Sequence, residues 1–162
     1  MQPAQAPRIE LRQWDPSDWP IVWHWIKSYY WRVADDYAPR NERDFIADQM
    51  ARGGLQAGVY RDGELGGVVI CERVSPVLCE GHCYFKKTFW GWHTTLPALN
   101  YAFQGAWKLG YEKVVCPVLE KNRLMRSLLQ ALGAVQESHY RAQTRQHGEP
   151  IDVVHYSVFK EG

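Results

Sequence analysis

Apolar positions along the chain switch between a two-residue and a helical period, and the switches mark the elements. Residues 8–14 alternate polar and apolar, the pattern of a half-buried strand. Asp15-Pro16-Ser17-Asp18 then reads as a helix start, with Asp at the cap and Pro in the first turn. From there Trp19, Val22, Trp23, Ile26, Tyr29, Tyr30 and Val33 recur at helical spacing and form one apolar stripe. Residues 29–40 carry two acids and Ala38-Pro39 and read as a loop. A second short helix is predicted over Glu42 to Arg52, stopped by Gly53-Gly54.

A hairpin follows, with strands over Leu55 to Tyr60 and Leu65 to Val74 and a tight turn at Arg61-Asp62-Gly63-Glu64. Ser75-Pro76 breaks the pattern, and Leu78 to Phe85 reads as another strand. The stripe Leu96, Leu99, Phe103, Ala106 predicts an amphipathic helix over Thr95 to Leu109, closed by Gly110. Val114 to Leu119 is a short apolar strand. Asn122 caps a helix with the stripe Met125, Leu128, Leu129, Leu132, closed by Gly133. Two last strands are expected near 135–143 and 151–159, joined through His147-Gly148-Glu149-Pro150. The order β-α-α-β-β-β-α-β-α-β-β describes an α+β domain, a mixed sheet flanked by helices. With no repeat and no linker, residues 1–162 are expected to form one domain.

Composition narrows the function classes. The 162 residues carry 19 basic and 18 acidic side chains for a net charge of +1. That balance argues against a nucleic-acid binder, whose affinity rests on surplus Lys and Arg. The polar N-terminal Met1–Pro7 shows no export signal, so a cytoplasmic location is expected, and no apolar run is long enough to cross a bilayer. In that setting Cys71, Cys79, Cys83 and Cys116 are expected as reduced, small apolar side chains. Their spacing brings no further ligands, so no metal is expected. The 8 Trp residues are a surplus that needs a reason, because a buried indole N–H wants a partner.

The segment Phe89-Trp90-Gly91-Trp92-His93-Thr94-Thr95, between a strand and a helix, resembles the acyl-CoA pyrophosphate loop of the GCN5-related N-acetyltransferases (GNAT). The branch it resembles includes the ribosomal-protein N-terminal acetyltransferases, where the loop reads Trp-Gly-x-Gly-x-x-Thr-Glu-Ala. Downstream, Leu109-Gly110-Tyr111-Glu112-Lys113-Val114 is similar to the family's entry into its fifth strand. Asn122 and Leu132-Gly133-Ala134, then Glu137, Arg141, Gly148, Asp152 and Tyr156, match later family positions. Physically, such a loop aims backbone N–H groups and a helix dipole at a pyrophosphate. Gly91 lets the backbone come close, and Lys86, Lys87, Arg123 and Arg126 add positive charge.

The resemblance implies the acyl-CoA N-acyltransferase fold, acetyl-CoA as co-substrate, and an amine-bearing small molecule or peptide N-terminus as acceptor. It implies coenzyme contacts from Phe85, Trp90, Gly91, Trp92, His93, Thr94, Thr95, Asn122 and Arg126. Asn122 has a second reading as a plain helix N-cap. Four positions depart from the family: Thr88 replaces its Arg or Gln, His93 its second Gly, Met125 a Ser, and Leu129 the Tyr that protonates the leaving thiolate. The Cβ of His93 is expected to crowd the phosphates, and both helix positions fall on the apolar stripe.

For a base, Glu80, His82 and Tyr84 share one strand face, and His82 alone ordinarily titrates near neutrality. On the acceptor side, Trp25 and Trp31 lie off the first helix's core face, beside Asp35 and Asp36, a setting that suits a cationic amine. Two readings stand: an acetyl-CoA-dependent N-acetyltransferase, monomeric or homodimeric, or a binding or structural protein on the same fold without the chemistry.

Overall fold

A seven-stranded sheet runs through the whole molecule in the order β1-β2-β3-β4-β5-β7-β6. The computed structural model describes residues 6–161, so most of the polar N-terminal stretch on which the export expectation rests lies outside the described residues. The strands are β1 (Ile9–Gln13), β2 (Leu55–Arg61), β3 (Glu64–Arg73), β4 (Leu78–Phe85), β5 (Lys113–Leu119), β6 (Val135–Gln146) and β7 (Glu149–Phe159). Helices α1 (Trp19–Ile26), α2 (Tyr30–Val33) and α3 (Glu42–Ala51) precede β2, while α4 (Thr95–Lys108) and α5 (Arg123–Ala131) flank β5. Every pairing is antiparallel except β4 with β5. The described residues contain no helix long and apolar enough to cross a membrane.

Strand alternation sorts the core into two layers. Val68, Ile70 and Tyr84 face α1 and α3, where they meet Trp14, Trp19, Ile26 and Phe45. Val69, Cys79, Cys83 and Phe85 face the other way and pack under α4 and α5 against Leu99, Phe103, Leu128 and Leu129. The first layer absorbs much of the Trp surplus: Trp14 and Trp19 stack at 5.0 Å, and Phe45 takes Trp19 and Trp23 at 5.9 and 5.3 Å. Trp107 packs on the second layer. Both Trp14 Nε1 and Trp19 Nε1 are buried without a partner among the described residues.

The predicted elements form with two differences. The apolar stripe does not continue as one helix to Val33. α1 ends at Ile26, the chain turns through Tyr29, and α2 is a separate single turn. The break frees the Tyr29 hydroxyl to donate to the Phe85 carbonyl at the end of β4. The last two strands also run further, meeting in a two-residue turn at His147 and Gly148, both left-handed with φ of 56° and 79°. A bulge in β6 puts Ala142 at φ 48°, held by its N–H donating to Asp152 at 2.8 Å.

Gly66 and Gly67 let large rings cross β3 closely. A Cβ on Gly66 would sit 2.4 Å from the Phe89 ring, and one on Gly67 would sit 2.4 Å from Phe85. Both phenylalanines are buried, so added atoms overpack the site. Gly67→Ala is therefore expected to lower stability by about 1–3 kcal/mol, read as a lower urea midpoint at unchanged slope.

Candidate active site

β4 and β5 pair over only Leu78–Glu80 with Lys113–Val115, and then part. The cause lies in the sequence of β5. The Lys113 N–H points toward β4, donating to Val77 O at 3.1 Å. Alternation gives that side its next donors at Val115 and at position 117, and residue 117 is proline, which has none. A cleft of about 700 Å³ opens through the gap, joining the two faces of the sheet. Its walls include Phe85, Trp90, Thr95 and Asn122 on one side, and Asp35, His82 and Tyr84 on the other.

Beside the gap lies the loop before α4. Gly91 takes φ 114°, and its O closes the turn by accepting from Thr95 N at 2.9 Å. The N–H groups of Gly91, Trp92, His93 and Leu96 have no acceptor among the described residues. His93 is exposed and has no left-handed backbone, so a single glycine suffices to shape the loop. The threonines serve the loop itself: Thr94 Oγ1 accepts from Arg61 at 3.2 Å, and Thr95 Oγ1 donates to Phe89 O at 2.8 Å. Trp92 is exposed and outside the cleft, whereas Trp90 lines it and donates Nε1 to Phe85 O at 3.2 Å. Asn122 caps α5, its Oδ1 accepting from Met125 N at 3.2 Å, and also lines the cleft. Arg126 is turned away from the cleft, donating to the Tyr156 hydroxyl at 3.1 Å and to Glu120 O at 2.9 Å.

Across the gap, His82 and Glu80 are paired, while Tyr84 of the same strand face packs against Trp19 and Phe45. His82 Nε2 lies 3.0 Å from Glu80 Oε1 and 3.6 Å from Glu72. The hydrogen bond from His82 is the largest influence holding the Glu80 carboxyl below its ordinary range. A guanidinium shares the same nitrogen: Arg52 NH1 is 3.0 Å from His82 Nε2, while its NH2 pairs with Asp48 at 3.4 Å. Arg52 lines the cleft, and as a basic residue closing a helix before Gly53-Gly54 it gave no sequence signal beyond a favourable charge at the helix end. Because guanidinium only donates, Nε2 accepts from Arg52 when it carries no proton and donates to Glu80 when it carries one. Burial pushes the Tyr84 hydroxyl up to about 12. Burial likewise pushes the Cys83 and Cys116 thiols up to about 12, which leaves Cys116 protonated and a poor nucleophile. Leu129 is buried in the core and Met125 packs against it, so neither helix position supplies a proton.

The acceptor-side residues divide. Asp35 lines the cleft, its carboxylate accepting from Thr144 Oγ1 at 2.7 Å and from Tyr37 N at 3.0 Å. Asp36 instead caps the β6–β7 turn, accepting from the N–H groups of His147 and Gly148 at 2.8 Å each. Trp25 packs on the α1 layer rather than in the cleft. Trp31 is exposed, lying against His147 at 5.3 Å and under the Arg32 guanidinium at 4.9 Å, on a side recess of about 140 Å³ that Asp35 also lines. Tyr29 and Tyr30 also line the cleft, where burial raises both hydroxyls above their ordinary range.

A family model described as an acetyltransferase (GNAT) domain matches residues 8–135. No curated protein sequence matches the chain significantly. Among solved structures, the chain resembles RimL, a ribosomal L7/L12 α-N-protein acetyltransferase in complex with coenzyme A, at TM-score 0.80 and 14% identity over 97% of this chain and 96% of that one. It resembles yncA from Salmonella typhimurium, solved with acetyl-CoA, at TM-score 0.78 and 15% identity over 97% and 95% of the two chains. A ribosomal-protein-S5-alanine acetyltransferase from Vibrio fischeri superposes at TM-score 0.76 and 12% identity over 94% and 93%. At such identities the likeness is one of fold.

The turn that Asp36 caps gives a pH test. Its carboxyl is held below the ordinary value, first by the Gly148 N–H, so the clamp is complete above the ordinary carboxylate range and is lost as pH falls through the lowered value. The amide resonances of His147 and Gly148 are expected to titrate together below about pH 4, and not in Asp36→Asn.

Proposed function

The chain belongs to the acetyltransferase (GNAT) domain family, and from that premise we propose that it is an acetyl-CoA-dependent N-acetyltransferase. Its acceptor is a primary amine of a small molecule or of a peptide or protein N-terminus. The observation that carries this reading is the β4–β5 gap, flanked by a loop with unpaired N–H groups and facing a histidine–carboxylate pair. In this reading the pyrophosphate takes the N–H groups at Gly91, Trp92, His93 and Leu96, helped by the dipole of α4. The pantetheine arm enters the gap past Trp90 and Asn122, and the thioester comes to rest opposite His82.

The amine reaches the thioester from the α2 side, where Asp35 favours its cationic form on approach. His82 removes the ammonium proton at Nε2, and the ring exchanges Arg52 for Glu80 as its partner. The neutral nitrogen then attacks the carbonyl without an acyl-enzyme. The Tyr84 hydroxyl stays protonated at neutral pH and is the candidate donor to the departing thiolate.

A second reading, a binding protein on this fold, is favoured by the apolar Leu129 and Met125 where the family carries proton donors. Coenzyme binding and turnover separate the two. At 100-fold excess over its Kd, acetyl-CoA is expected to raise the melting temperature by about 5–10 °C; no shift at millimolar coenzyme refutes the coenzyme site itself. Thiol release across an amine panel then identifies a transferase, and a shift without turnover identifies the binding protein. In a transferase, His82→Gln is expected to lower kcat by about 100-fold or more with little change in KM for acetyl-CoA.

A further inference from the structure

The two faces of the sheet are packed differently. Toward α1 and α3 the space is filled by rings, Trp14, Trp19, Phe45 and Tyr84 among them. Toward α4, Phe85, Phe103 and Leu99 fill part of the layer, and one stretch beside them is lined by small groups. The helix contributes Ala102, Gly105 and Ala106, and β2, β3 and β4 answer with Ala57, Cys71 and Cys79. Small against small leaves a gap that close packing elsewhere in a core would fill. A Cβ built on Gly105 meets nothing within 4 Å. Ala57, Cys71 and Ala102 pack on this core yet stay partly exposed, although β2 and β3 are interior strands. The access comes from inside, because these residues line the same cleft of about 700 Å³ that opens at the β4–β5 gap. The arm runs on to Leu11 and to the exposed Leu55 and Leu109, with Gln56 beside them, and is apolar or thiol up to that end.

We propose that this arm is an acyl-chain tunnel, and that the chain takes coenzyme A thioesters of medium-length, unbranched fatty acids as well as acetyl-CoA. The inference rests on the coenzyme reading given above. The pantetheine and the tunnel lie on the α4 side of the sheet, whereas the amine approaches from the α2 side. A hydrocarbon leaving the thioester under α4 therefore does not obstruct the acceptor. An apolar cavity stays dry and accepts hydrocarbon, as each buried methylene gains free energy. The transfer balances as for acetyl: the amine nitrogen forms the amide C–N bond and the thioester C–S bond breaks. The sulfur leaves as thiolate and takes a proton from Tyr84, which recovers one from the attacking nitrogen as the amide forms, while the first ammonium proton passes through His82 to solvent.

The test is calorimetric binding of coenzyme A, acetyl-CoA, hexanoyl-CoA and octanoyl-CoA to the full chain. Affinity is expected to rise with chain length, octanoyl-CoA binding at least tenfold more tightly than acetyl-CoA, within a ceiling of roughly fourfold per methylene. Gly105→Leu fills the arm and is expected to erase that gain while coenzyme A itself, which has no acyl chain, binds as before. Ala102→Leu, one turn earlier on α4, repeats the test should the first variant fold poorly. Equal affinity across the series, or a gain that survives both substitutions, overturns the tunnel and leaves the acetyltransferase reading standing. Failure of coenzyme A and every thioester to bind overturns both.

Discussion

A parallel strand pair lasts only while each strand offers N–H groups to the shared side, and β5 offers none there at the next position after Val115. Lys113 sets the phase by donating toward β4, and alternation then assigns position 117 to the same side, where Pro117 has no hydrogen to give. β5 loses nothing on its other edge, where it stays paired with β7 from Lys113 to Leu119. The gap is thus one-sided: at Gly81–Phe85 β4 keeps its pairing with β3 and leaves only β5. Its unpaired backbone and the cleft beside it have a common origin in one residue.

The free end of β4 is in turn fixed from both flanks. The Phe85 carbonyl accepts from the Tyr29 hydroxyl, at the turn before α2, and from Trp90 Nε1, in the loop before α4. The two rings pack edge to face at 4.6 Å. One carbonyl therefore ties the acceptor side to the coenzyme side. Further along, the segment after α2 is fastened to the β6–β7 hairpin, with Gln146 donating to Arg32 O and Ala34 O, and Asp36 capping the turn. These contacts fasten residues 32–36 to the hairpin on the α2 side of the cleft.

The fold was legible because its elements have strong periods and clean stops, and because the loop around Gly91 needs a residue that only glycine supplies easily. The break between α1 and α2 was not legible, since Tyr29 and Tyr30 keep the helical period while the hydroxyl of Tyr29 is drawn to a carbonyl 56 residues away. Strand alternation on β4 did foretell that Glu80 and His82 lie side by side, and the two are paired. Local pattern could not show that Asp36 and Arg126 are spent on β7-linked contacts, or that Arg52 reaches His82 from another element. The arm under α4 was silent for a different reason: alanine, glycine and cysteine mark no stripe, and space between them appears only when the layers are assembled. The Trp surplus resolves into a ring-filled face at Trp14, Trp19 and Trp23, a fastening at Trp90, and an exposed rim at Trp31 and Trp92.

The central claim is that the gap made at Pro117 receives the coenzyme arm with its pyrophosphate on the loop before α4. Backbone amide NMR during titration with coenzyme A tests it most directly. The account predicts saturable shifts concentrated at Gly91, Trp92, His93 and Leu96 and along Gly81–Phe85 and Asn122. Shifts confined to another surface, or saturable binding that leaves those amides unmoved, would contradict it.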